Sequence, residues 1–102
     1  MKHKATYTTE KVTGSGMKTY SPKINEILDL LQEECGEVVQ MVSKCRRFGL
    51  EEKREDLVKE IGDVALLIEL LHAYQLFTDQ ELNQAKLNKA TKLTKWSTIY
   101  EE

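Results

Sequence analysis

Two pairs of carboxylates, Glu34 with Glu37 and Glu60 with Asp63, have the spacing to act together on a cation. Residues three apart on a helix are neighbours, so each pair points two acids into one space. Both pairs interrupt apolar stripes. Ile27, Leu30, Glu34, Glu37 and Met41 step by three, four, three and four, the interval of one buried helix face. Leu57, Glu60, Val64, Leu67 and Leu71 repeat the rhythm, with Asp63 one turn after Glu60. An unpaired carboxylate among apolar neighbours is costly, and crowded like charges raise the cost. A divalent cation between the pairs relieves both.

The donor set narrows the choice of cation. All four donors are oxygens, and no His or Cys lies at ligand spacing in these turns, which argues against zinc. Carboxylate-bridged di-iron bundles use Glu-x-x-His, and Glu37 and Asp63 stand where the histidines would be. Hard oxygen donors suit Mg²⁺ or Mn²⁺. Mg²⁺ on few carboxylates keeps waters and recruits phosphate oxygens, so the pattern points to phosphate-ester or anhydride chemistry. The bland alternative is a solvated acidic face on an ordinary bundle. Two features weigh against it: both pairs replace core positions, and each encloses a glycine, Gly36 or Gly62. Glycine inside a helix costs about 1 kcal/mol relative to alanine. A close backbone approach beside the acids is therefore expected.

These acids must ride on helices that face each other. Ser21-Pro22 is a good helix start, a capping hydroxyl followed by a residue preset for the first turn. A first helix is expected from Pro22 to about Arg47, broken at Phe48-Gly49-Leu50. A second follows from Glu51 or Arg54 to Phe77. Thr78 and Glu81 then form a capping box, and a third helix runs from Asp79 to about Trp96. The short first break makes the first two helices antiparallel neighbours, with the acid pairs at one level. No stretch has a β period. The expected fold is all-α, an antiparallel bundle of about three main helices, completed by oligomerisation because so small a chain has only a modest core. Residues 1–20, rich in Thr and Lys around Gly14-Ser15-Gly16, read as a flexible arm preceding a helical domain over 21–102.

Composition excludes several classes. A net charge of −2 with 31% charged residues gives no basic field for nucleic acid. No apolar run approaches the roughly 20 residues that cross a membrane, and Lys2 and Lys4 precede no hydrophobic stretch of a secretory signal. Cys35 and Cys45 lie on one helix about 15 Å apart, beyond the roughly 7 Å a disulfide spans. Free thiols and no export signal suggest the cytoplasm.

Glu33-Glu34-x-x-Glu37, followed after 22 residues by Glu60-x-x-Asp63, resembles the all-α nucleoside triphosphate pyrophosphohydrolases of the MazG-like group. The likeness is carried by Leu31 to Leu71, LQEECGEVVQMVSKCRRFGL…LVKEIGDVALLIELL, and extends more weakly through the third helix. The resemblance implies cleavage of a nucleoside or deoxynucleoside triphosphate between its α- and β-phosphates, giving the monophosphate and pyrophosphate. It implies Mg²⁺ ligands at Glu34, Glu37, Glu60 and Asp63, and subunits paired as a homodimer or homotetramer with sites near the interfaces. On that basis Glu33, the extra acid of the first motif, is the candidate to orient or deprotonate the attacking water. Lys86, Asn88, Lys89 and Lys92 resemble the family's basic third helix, so Lys86 and Lys89 are candidate substrate-binding residues. Lys44, two turns past Glu37, is a third. The lysines have a plain alternative as solvent-facing side chains, and Glu33 as an exposed acid. His72 reads as a packed or surface residue. Tyr20, Phe48, Tyr74 and Trp96 read as core or interface fillers before base-stacking groups. A non-catalytic helical interaction module is the competing function; such a module is expected to carry Leu, Ile or one Asn at core positions. Phosphoribosyl-ATP pyrophosphohydrolysis on the same fold is the other.

Overall fold

The computed structural model describes residues 21–101, all of whose regular elements are helices. They are α1 (Pro22–Phe48), α2 (Leu50–Ala73) and α3 (Asp79–Trp96). The arm expected over residues 1–20 lies outside the described residues. At the start of α1 the Ser21 hydroxyl accepts a hydrogen bond from the Ile24 amide at 3.3 Å, and Pro22 opens the first turn. Gly49, at φ 105°, separates α1 from α2 single-handedly, and its amide donates to the Cys45 carbonyl. A side chain at that φ would be strained, so the reversal needs glycine. No membrane-crossing helix is present among the described residues.

The second helix ends at Ala73, four residues before Phe77. The chain turns at Gln75, whose φ is +65°, and Leu76 and Phe77 fold back against the core. Their apolar character continues the helical pattern past the helix itself, which is why periodicity overran the end. The Thr78 capping box forms as expected: its amide donates to Glu81 Oε1 at 2.9 Å, and its hydroxyl accepts from the Glu81 amide at 3.1 Å.

α1 and α2 form an antiparallel hairpin, and the buried stripe of each is resolved to the residue. On α1 it runs Ile24, Ile27, Leu31, Glu34, Val38, Met41, Cys45, each buried or half-buried. On α2 it runs Lys53, Leu57, Glu60, Val64, Leu67, Leu71, Tyr74. The α1 stripe differs from the sequence expectation, because Leu30 and Glu37 are exposed and Leu31 and Val38 take the seam. The core cluster of Ile24, Ile27, Leu67, Leu71 and Tyr74 sits at the open end of the hairpin. α3 packs lengthwise along neither partner. The radius of gyration is 17.4 Å, against about 13 Å for a compact chain of this length.

Candidate metal centre

Midway along the hairpin, the two stripes meet at their acids. Glu34 and Glu60 occupy seam positions and are half-buried, while Asp63, one turn past Glu60, stands exposed at the rim. One carboxylate oxygen from each of these three lies within 4.8 Å of the other two. Glu37 is exposed on α1, one turn past Glu34, and lies outside this triad. Its charge nonetheless bears on Glu34. Burial, then the charges of Asp63, Glu60 and Glu37, and lastly a side-chain hydrogen bond to Asp63, raise the Glu34 pKa above the ordinary carboxylate range. After burial, the neighbouring negative charges are the next largest causes. Among the described residues no cation forms an ion pair with any of the four acids.

The cluster fits a hard divalent ion. Octahedral Mg²⁺ holds oxygens at about 2.1 Å, so ligand oxygens stand about 3–4.2 Å apart around it. The observed spread needs only small side-chain adjustments to reach that, and the donor set is all oxygen. Gly36 and Gly62 do not bring the backbones together: a Cβ at either would meet nothing within 4 Å. The expectation of a close approach beside the acids is corrected, and within the chain these glycines face open space.

The other candidates are spread more widely. Glu33 is exposed on α1 beside Glu34, and Lys44 is exposed in the last turns of that helix. Lys86 and Lys89 are exposed on α3, away from any lengthwise contact with the hairpin. His72 pairs with Asp79, Nε2 to Oδ1 at 3.0 Å, and its ring lies against Phe77, a surface role at the α2–α3 joint. Tyr74 is buried in the core. Phe48 is half exposed, with Arg47 and Lys53 over its ring, and Trp96 is 81% exposed. Tyr20 lies outside the described residues. Both cysteines are free thiols. Sequence reasoning missed Leu30, Leu66 and Leu67, which line a cavity of about 260 Å³ together with Glu34 and Asp63. Leu30 and Leu67 read as members of the apolar stripes and Leu66 carried no signal; only the exposure of Leu30 and Leu66 distinguishes them.

The antiparallel hairpin thus brings carboxylates from both helices into one cluster that could hold a metal ion. Residues 23–95 match the family model of the MazG nucleotide pyrophosphohydrolase domain. The chain belongs to the MazG family, and with it to the nucleotide pyrophosphohydrolases. No curated protein and no solved structure matches it.

Proposed function

We propose that this protein hydrolyses a nucleoside or deoxynucleoside triphosphate between the α- and β-phosphates, with Mg²⁺ (or Mn²⁺) held by Glu34, Glu37, Glu60 and Asp63. The observation that carries the proposal is the convergence of Glu34, Glu60 and Asp63 from two helices, with no cation among the described residues paired to them. A bound Mg²⁺ there supplies Lewis-acid neutralisation of the phosphate oxygens. The half-buried seam positions of Glu34 and Glu60 turn both carboxylates toward the space between the helices, where a substrate-bound cation would sit. Asp63 and Glu37, at the rim, close the set from the solvent side. Glu33 accepts the proton of the attacking water, which aligns opposite the departing pyrophosphate. Lys44, Lys86 and Lys89 offer ammonium groups to the charge that develops on the leaving group. The lysines of α3 serve best from a second copy, since α3 does not lie along its own hairpin. A homodimer or homotetramer working in the reducing cytoplasm accommodates both that geometry and the free thiols.

A panel of the common NTPs and dNTPs, assayed with millimolar Mg²⁺, tests this reading. Pyrophosphate and a monophosphate are the expected products, and EDTA stops their formation. Orthophosphate as the product, or turnover indifferent to the chelator, sinks the proposal. A non-catalytic module finds no support in a seam where Glu34 and Glu60 stand in place of apolar residues.

A further inference from the structure

The cavity beside the acids has two unlike walls. Glu34 and Asp63 form one side; Leu30, Leu66 and Leu67 form the other. Because α1 and α2 are antiparallel, Leu30 and Leu66 lie at the same level, one turn from the carboxylates toward the open end of the hairpin. Leu67 is buried and makes the floor, while Leu30 is 40% and Leu66 55% exposed. The leucine side chains offer neither donor nor acceptor, and the helical amides and carbonyls behind them are occupied by the helices themselves. The volume, about 260 Å³, falls just below the roughly 300–1,000 Å³ of pockets that enclose whole drug-sized ligands. It suits one ring.

Charge gives the hairpin a direction. From the acids toward the Gly49 turn stand Lys44, Arg46, Arg47, Lys53, Arg54 and Lys59. Those six cations outnumber the four acids of the same half, Glu51, Glu52, Glu55 and Asp56. Toward the open end, Lys23 and His72 are the only basic side chains of residues 21–33 and 64–77, against Glu26, Asp29, Glu33 and Glu69. A polyphosphate held at the carboxylates is therefore drawn toward the Gly49 turn. The group on the other side of the α-phosphate then falls on the leucine wall, and in a nucleotide that group is the sugar.

We infer that Leu30, Leu66 and Leu67 form a sugar subsite that selects a 2′-deoxynucleotide over its ribonucleotide. The inference rests on the pyrophosphohydrolase reading above. A 2′-hydroxyl against this wall loses water and gains no partner, because Glu34 and Asp63 are committed to the cation site. A wall of this kind rejects an added hydroxyl by at most about 10²-fold. The expected preference is thus about 10- to 100-fold in kcat/KM for each dNTP over the NTP of the same base.

The test measures that ratio for the wild type, Leu66→Gln, Leu30→Gln and the control Leu66→Met, each checked for native helicity by circular dichroism. The glutamine variants give the 2′-hydroxyl a partner, so the ratio falls about tenfold in at least one of them, while Leu66→Met preserves it. A wild-type ratio within twofold of unity, with pyrophosphate still released from both series, overturns the subsite and leaves the activity standing. So does a preference that survives both glutamine substitutions in folded protein. Absence of pyrophosphate release from both series removes the underlying activity, and the subsite with it.

Discussion

The two halves of the hairpin, divided by the acids, are built differently. Toward the open end, Ile24 is fully buried, Leu71 is 4% exposed, and Leu76 and Phe77 fold in to thicken the cluster. Toward the Gly49 turn, Val39, Phe48, Leu50 and Val58 are all more than half exposed, and only Cys45 is buried. The open half is richer in apolar residues and the turn half richer in charge, so composition as well as cover separates them. One half holds the core cluster; the other leaves most of its apolar side chains uncovered among the described residues. The acids mark the boundary between the two halves.

The largest expected effect acts on that boundary. Glu60→Gln removes a seam carboxylate while keeping its shape. Lewis-acid stabilisation of a phosphoryl transition state is worth several kcal/mol, so Mg²⁺-dependent turnover should fall on the order of 10³-fold or more, with helicity intact. Retained turnover in steady-state assays would refute the assignment of Glu60. Next in size is a pair of truncations that sets one half against the other. Ile24→Ala, in the core cluster, should cost about 2–5 kcal/mol in urea unfolding. Val58→Ala, half exposed, should cost no more than about 0.5 kcal/mol if its surface stays bare. If Val58→Ala instead costs several times that, and the loss depends on protein concentration, the turn half is buried by a second copy in solution. The comparison is then sharpened into an interface.

A smaller effect comes from the pKa of Glu34. Burial, and the charges of Asp63, Glu60 and Glu37, raise it in the folded chain. A carboxyl with a raised folded pKa contributes stability that is complete below the ordinary carboxylate range. That contribution is lost as pH rises through the shifted value. Metal-free wild type should therefore lose ground to Glu34→Gln, in Tm, as pH climbs from about 4 to about 7. Saturating Mg²⁺ at neutral pH should reverse the order, because the ion binds only the folded wild-type site with full affinity; at a hundred times Kd that is worth about 2.7 kcal/mol. A Tm difference that stays flat with pH counts against a repulsive cluster at Glu34.

Much of this molecule can be read from residue order, and the failures have physical causes. Ser21-Pro22, Gly49 and the Thr78–Glu81 box mark helix ends through local chemistry, and the structure places ends there. The α2 terminus was misjudged because Leu76 and Phe77 are apolar for tertiary reasons, folding back onto the core after a left-handed Gln75. Convergence of Glu34, Glu60 and Asp63 followed from spacing and a short reversal. The finer distinction, with Glu34 and Glu60 in the seam but Glu37 and Asp63 at the rim, did not. Steps of three and four from Ile27 pass equally well through Leu30 or Leu31, and one residue of phase decides which acid is shielded. Gly36 and Gly62 misled in a similar way, since the cost of a helical glycine says that a reason exists without saying which. The leucine wall was illegible because an exposed and a buried leucine are the same letter.

The smallest effect tests the contrast between the hairpin and α3. Thr78 closes the start of α3 through reciprocal hydrogen bonds with Glu81, all of them exposed. Thr78→Ala removes the hydroxyl that accepts from the Glu81 amide and should cost about 1 kcal/mol. In a fully cooperative domain that loss would spread over every element. Here α3 packs lengthwise on neither of the other described helices, and Leu87 and Trp96 are exposed. The variant should therefore exchange amide hydrogens faster through Asp79–Trp96, while the slowest amides, around Ile24 and Leu71, keep their protection. If protection falls equally in both places, α3 is coupled to the hairpin core. If α3 is protected in neither protein at low concentration but gains protection as concentration rises, its apolar face is covered by another copy, and Lys86 and Lys89 travel with it toward that copy's acids.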